Sequence, residues 1–390
     1  MTQNETDAHA MKMWEKNLFG VRFVQLPQLL PGLLAVSVLT WLSIWLSNFI
    51  GEDLLGFKKS PISSVMIAVI LGLSLASIVT LPKILDLGLK FSVKKLLRLG
   101  IILLGIRLTI FDVFKLGAVG VPIVALCIVG ALLITTWINK KLGLPQRLGT
   151  LIAVGTSICG VTAIVATSPV IDADEEESAY AVAVITIFGL FATLVYPYLA
   201  NFIFAGNPLK AGLFIGTAVH ETAQVVGAAK IYADIFSQPL ALDIATVAKL
   251  VRNVFMILVI PIMAYYYARQ TPAEGEFKGQ KTSVLKLLPM FIFGFLAMAT
   301  FRSIGDAGIN SAGSVFGLLA APTWNTFIAT IKSWAEILLV VALAGVGLGT
   351  KFRSIKALGT KPFIVGLGAS LSVGLVSYIA ITLLGGFVTF

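Results

Sequence analysis

RLGTLIAVGTSICGVTAIVATSPVIDAD, residues 147–174, is the stretch that decides the fold. It is long and apolar enough to cross a bilayer. Yet Gly155, Thr156, Ser157, Cys159, Gly160 and Thr162 stand where an ordinary spanning helix carries Leu and Val. A helix broken at membrane depth frees backbone N–H and C=O groups, which are tolerated only inside protein or along a watery cavity. The pattern predicts a binding site. GLFIGTAVHETAQVVGAAKI, residues 212–231, repeats it. Placing Gly155-Thr156 on Gly216-Thr217 brings Ile158 onto Val219 and Val165 onto Val226, with His220, Glu221 and Gln224 added beside the break. Two Gly-interrupted stretches in matching positions point to a transporter's substrate site near the midplane.

Composition supports a membrane setting. The 390 residues are 57% hydrophobic and 12% charged, with a mean hydropathy of +0.95, where a soluble domain carries about 25% charged residues. An all-α polytopic membrane protein is expected, with nothing left over for a soluble domain. The net charge of +10 falls in short loops between apolar runs rather than on one polar face, which argues against nucleic acid. Cys127 and Cys159 lie inside apolar stretches, so no disulfide framework is indicated. The first apolar run has no small-residue cleavage pattern before it and reads as a retained span. Residues 1–28 are then a cytoplasmic N-terminal segment and 29–390 a single transmembrane transporter domain.

Apolar windows occur at 29–48, 61–79, 91–110, 117–138, 147–170, 178–200, 209–230, 244–268, 286–304, 331–350 and 361–385, predicting about eleven crossings. With the N-terminus inside, the basic loops at Lys12, Lys16 and Arg22, at Lys83 to Arg98, at Lys140 to Arg147, at Arg269 to Lys286 and at Lys351 to Lys361 are all cytoplasmic, and the acidic loop Asp172 to Glu177 is outside. The chain also resembles itself at longer range. GIRLTIFDVFKLGAVGVP (105–122) is similar to GVGLGTKFRSIKALGTKP (345–362), on spans that run in opposite directions as an inverted repeat requires. The two broken spans run in the same direction by this count. Either one of them is a re-entrant hairpin or their likeness is shared composition.

Charges within spans are costly unless they face a cavity or a partner. The candidates are His220, Glu221, Lys249, Arg252 and Glu336. Lys249 and Arg252 share one helix face, directly after the His-Glu break, and a cationic face there suits an anion. Where a half-helix restarts near Gly160, its free N–H groups and positive dipole end favour negative charge. Ser157 and Thr162 add hydroxyl donors. The candidate substrate-binding residues are Gly155, Thr156, Ser157, Gly160, Thr162, Gly216, Thr217, His220, Gln224, Lys249 and Arg252, with His220 and Glu221 as candidates for coupling protonation.

Plainer roles stand beside these. Glycines in spans serve close helix packing, His220 can be a satisfied core histidine, and Lys249 and Arg252 can snorkel to an interface or pair with Glu336. The acids after Asp172 suit a solvated loop opening the next helix. Enzyme readings fare worse. His220-Glu221-Thr222-Ala223-Gln224 begins like a zinc protease signature but has Gln224 where the second histidine must sit. No metal or other cofactor is expected, and no phosphate-binding Gly-x-x-x-x-Gly-Lys-Ser/Thr loop is present for ATP drive.

GTSICGVTAIVATSPVI, ITIFGLFATLVYP (185–197), HETAQVVGAA (220–229) and KLVRN (249–253) resemble the YeiH-like sulfate exporter family of bacterial membrane proteins, from about residue 30 to the end. The resemblance places the chain in the cation/proton antiporter and anion transporter clan. It implies a panel domain, a core domain with unwound crossing helices, and a homodimer.

The expectation is a secondary active transporter in the bacterial inner membrane, moving a small inorganic or sulfur-containing anion such as sulfate or sulfite by alternating access, coupled to a proton or ion gradient. Two alternatives stay open. One is a sodium/proton antiporter using Glu221 and Lys249; the other is an anion channel or membrane sensor.

Overall fold

The computed structural model describes residues 21–56, 60, 62–270, 287–315, 317–350 and 360–384. Helix α1 (Leu30–Asn48) follows a 3-10 turn at Phe23–Leu29 and runs on into a π turn at Phe49–Leu54. Then come α2 (Ser64–Ile78), α3 (Asp86–Phe91) and α4 (Leu97–Leu104), the last two joined by a π turn at Ser92–Leu96. The long α5 (Ile110–Lys141) opens on a Thr109–Asp112 capping box. It is followed by α6 (Gln146–Ser157), α7 (Val161–Thr167) and α8 (Glu175–Ile203). Next are α9 (Pro208–Ala218), α10 (Thr222–Ile235), α11 (Leu240–Val254) and α12 (Met256–Gln270). After α13 (Phe291–Ala312), a two-stranded ribbon of β1 (Ser314–Val315) and β2 (Leu319–Ala320) leads to α14 (Ala321–Gly349), and α15 (Thr360–Leu384) closes the fold.

This is an all-α polytopic membrane protein. Among the described residues seven helical stretches are long and apolar enough to cross a bilayer: Gln25–Leu54, Ile110–Lys141, Glu175–Ile203, Leu240–Tyr267, Phe291–Ala312, Ala321–Gly349 and Thr360–Leu384. The other four expected spans are built differently. Stretch 61–79 is the short α2, 91–110 combines a π turn, α4 and a 3-10 turn, and 147–170 and 209–230 are each two helices. In the similarity of 105–122 to 345–362, residues 351–359 lie outside the described residues.

The direction of the chain through its broken stretches follows from pairs that lie far apart in sequence. Arg147, at the start of α6, pairs with Asp172 beyond α7 at 3.3 Å. Leu148 and Ile171 also share one apolar cluster with Ala181 of α8. The chain therefore returns to the end from which it came, and α6–α7 is a re-entrant hairpin. The second broken stretch behaves alike. Tyr232, near the end of α10, bonds Asn201 near the end of α8 at 3.4 Å, and the Tyr198 and Phe236 rings meet edge to face. Since α9 begins at Pro208, just past α8, α9–α10 also returns to its own entrance.

Helix α8 connects the two mouths. Ile185 packs on Gly155 and Gly160 of the first hairpin, whereas Thr193 packs on Gln224 and Gly227 of the second. The hairpins thus enter from opposite ends of the bundle. The parallel run expected from counting spans is corrected: an apolar stretch of this length reads as a crossing whether it continues or turns back. The acidic segment Asp172 to Glu177 likewise lies at the basic end, beside Arg147. At 1.5 Å per residue the 12-residue α6 and 11-residue α9 reach about 18 and 16 Å, half the thickness of a bilayer core of about 30 Å. Their tips meet at mid-depth.

Small residues let these elements close up. Gly212 and Gly216 of α9 lie against Ala241, Ile244, Ala245 and Ala248 of α11, and Gly72 of α2 lies against the Gly347 backbone of α14.

Candidate functional site: two hairpin tips and a basic cavity

In the first tip, α6 stops at Ser157, and Gly160 takes φ 74° and ψ −128°, a conformation that only glycine adopts cheaply, before α7 restarts. In the second, α9 stops at Ala218, Val219 is extended, and Glu221 precedes α10. Each tip leaves two kinds of helix end at mid-depth. The C-terminal carbonyls of α6 and α9 are partially negative, and the N-terminal amides of α7 and α10 are partially positive.

The carbonyl ends are met by Lys249 and Arg252, successive turns of α11 and both wholly buried. Lys249 Nζ donates to the oxygens of Ile158 (2.8 Å), Val219 (3.4 Å) and His220. Arg252 donates through Nε to Ser157 O (2.6 Å), through Nη1 to Thr217 O (2.8 Å) and Val219 O (2.9 Å), and through Nη2 to Thr156 O. An ammonium has three donors and a guanidinium five. The lysine is therefore fully engaged with backbone and the arginine nearly so. Among the described residues no carboxylate lies within salt-bridge reach of either. Glu336 instead pairs with Arg107 (3.1 Å) and Lys230 (3.2 Å), at the end where the second hairpin enters.

The remaining predicted residues divide by what they touch. Gly155 lies against Ile164 and Ile185, and Gly216 against Ala245 and Ala248. The hydroxyls of Thr156 and Ser157 bond back to Ile152 O and Val154 O within their own helix. Thr217 shares a 2.6 Å hydrogen bond with Ser377, and His220 Nε2 lies 3.0 Å from Ser370 Oγ, so two side chains tie the second hairpin to α15. Gln224 holds α10 to α8, donating to Thr186 O (3.1 Å) and accepting from Glu221 N–H (3.2 Å). Only Glu221 and Thr162 open onto free space.

That space is a cavity of about 290 Å³ at the N-terminal ends of α7 and α10. Cys159, Thr162, Glu221 and Thr222 line it from the hairpins, Lys94 and Arg98 from the π turn and α4, and Phe291 from α13. Arg98 lies 6.0 Å above the Phe291 ring, a cation–π contact. Val165, a turn along α7 towards the first hairpin's mouth, also lines the cavity, which therefore extends to that side of the tips. Sequence reasoning assigned Lys94 and Arg98 to a topology-setting basic loop. Their spacing of four was a signal that both face one way from a helix, but nothing in sequence shows that a π turn aims them at the tips.

The fold and this site together define a polytopic membrane protein with a pair of opposed re-entrant hairpins. The chain belongs to the family described as Conserved hypothetical protein 698, whose profile matches residues 31–366. It is 32% identical to a UPF0324 membrane protein of Bacillus cereus over 320 residues, 82% of this chain and 86% of the relative. A UPF0324 membrane protein of Streptococcus pneumoniae is 32% identical over 353 residues, 90% and 94% of the two chains. One of Clostridium tetani is 32% identical over 363 residues, 91% and 97%. The YeiH-like family that its motifs resemble is this same family.

Proposed function

We propose that this protein is a secondary transporter for a small oxyanion of the sulfate or sulfite type, with nine membrane crossings and two re-entrant hairpins. One observation carries the reading: the negative ends of the half-helices are covered by Lys249 and Arg252, while the positive ends face a cavity that also holds Lys94 and Arg98. Amide N–H groups, threonine hydroxyls and two cations are the donor set an oxyanion needs. Lys249 and Arg252 act through the hairpins they hold, and Lys94, Arg98, Thr162 and Thr222 supply the direct contacts.

Glu221 is the one acid lining the cavity among the described residues. Its negative charge opposes an anion and its neutral form does not, which makes it the proton-coupling group. His220 supports it by fixing the second tip to Ser370. Lys140 and Lys141 at the end of α5 and Arg147 at the start of α6 lie at the first hairpin's end, which by the positive-inside rule faces the cytoplasm of a bacterial inner membrane. The cavity then opens inward, and alternating access exposes the same tips from the other side. A homodimer is the assembly the family resemblance implies.

The test is uptake of labelled sulfate and sulfite into proteoliposomes under an imposed pH gradient. Gradient-driven flux lost in Lys94→Ala/Arg98→Ala supports the reading. Wild-type protein that carries neither anion under any gradient rejects it.

A further inference from the structure

Carriers with broken helices coordinate their coupling cation with unwound carbonyls and half-helix C-terminal ends. Six such carbonyls converge here from the two hairpins, those of Thr156, Ser157 and Ile158 on one side and of Thr217, Val219 and His220 on the other. We propose that Lys249 and Arg252 are tethered occupants of a monovalent-cation site formed by these carbonyls, so that the carrier needs no sodium. The inference rests on the transport reading of the hairpins and names what fills the coupling-ion position of the same site.

Three features support it. The oxygens come from both hairpins, so whatever fills the position locks the tips together, which is the task of a coupling ion. Among the described residues the contacts to Lys249 are made only by carbonyls, the ligands of an alkali cation or an ammonium, and no carboxylate shares them. Two half-helix C-termini carry about −1 between them, which one monovalent cation balances. Two fixed cations overfill the position. The excess positive charge falls on the hairpin tips beside the cavity and favours an anion there.

Lys249→Ala removes three methylenes and the ammonium, the outline of n-propylammonium, and leaves the carbonyls of Ile158 and His220 without their donor and that of Val219 with Arg252 alone. Thermal unfolding of purified wild type and Lys249→Ala is compared in choline, sodium and n-propylammonium chlorides at equal ionic strength. Wild type is expected to melt at one temperature in all three. Lys249→Ala melts lower and regains a few degrees, saturably, in n-propylammonium, with a smaller recovery in sodium and none in choline. A saturable sodium stabilisation of the wild type, or equal responses of the variant to all three salts, overturns the proposal. If Lys249→Ala does not accumulate, Lys249→Gln and the wild-type sodium comparison decide. The salt response needs no transported substrate. Recovery by n-propylammonium in a protein that moves no anion would retain the site and remove the transport reading, and anion flux that requires sodium would do the reverse.

Discussion

Arg252→Lys keeps the charge at the centre of the hairpin contact and changes only its geometry. Arg252 places four hydrogen bonds on carbonyls of both tips, using three nitrogen atoms that span the gap between α6 and α9. A lysine ammonium offers three donors from a single atom and cannot reproduce a planar fork. Val219 O keeps Lys249, but the carbonyls of Thr156, Ser157 and Thr217 lie on both tips and are reached from three different nitrogens. A single ammonium leaves at least one of them without its donor, and an orphaned buried polar group costs about 1–3 kcal/mol. Arg252→Lys should therefore destabilise by about 1–3 kcal/mol, and Arg252→Met, which strands the carbonyls of Thr156, Ser157 and Thr217 and leaves Val219 O with Lys249 alone, by about 3 kcal/mol or more. Thermal or denaturant unfolding of the detergent-solubilised protein reads both. An Arg252→Lys variant as stable as wild type would mean that charge alone holds the tips, and would refute the argument that the guanidinium bridges them.

Three further outcomes follow from the same geometry. Gly160→Ala forces a side chain into a positive-φ conformation and sets its Cβ 3.2 Å from Cβ of Glu221. A cost of about 1–3 kcal/mol is expected in unfolding measurements, with flux falling alongside. Lys94→Ala and Arg98→Ala each remove a cation from the cavity wall, and each should raise the KM for sulfate about tenfold to a hundredfold, since one charge-assisted hydrogen bond contributes about 1.5–3 kcal/mol. Glu221→Gln fixes the cavity acid in its neutral form. Wild-type uptake should rise as pH falls on the side from which the anion binds, because protonation removes the opposing charge, and the variant should transport at a rate that pH does not change.

Much of the site was legible before the structure. The breaks at Gly155 to Gly160 and Gly216 to Glu221, their mutual likeness and the sparse charges at Lys249 and Arg252 all belong to one assembly. The return of each hairpin was not legible. Hydropathy reports only that residues 147–170 are apolar, and the turn is made by the backbone of Ile158 and Gly160 and by the pairing of Arg147 with Asp172. That one change reverses α8 and sets the hairpins opposed, which removes the conflict raised by counting crossings. The partners of Lys249 and Arg252 were hidden for a related reason. Main-chain carbonyls have no sequence signature, so a buried cation next to a broken helix reads as a ligand contact when its donors go to the break itself. Lys94 and Arg98 were visible only as basic residues, because the charge pattern that sets topology is the same one that lines an inward cavity.

The most direct test of the account is side-specific labelling of three exposed positions, Lys141→Cys, Glu176→Cys and Ala205→Cys, with a membrane-impermeant thiol reagent in right-side-out and inverted vesicles. The native Cys127 is 1% exposed, and Cys159, which lines the cavity, is replaced by Ser to remove background. Opposed re-entrant hairpins require residues 141 and 176 to label from one face of the membrane and residue 205 from the other. Labelling of 141 and 176 from opposite faces would make residues 147–170 a crossing helix and contradict the paired-hairpin site.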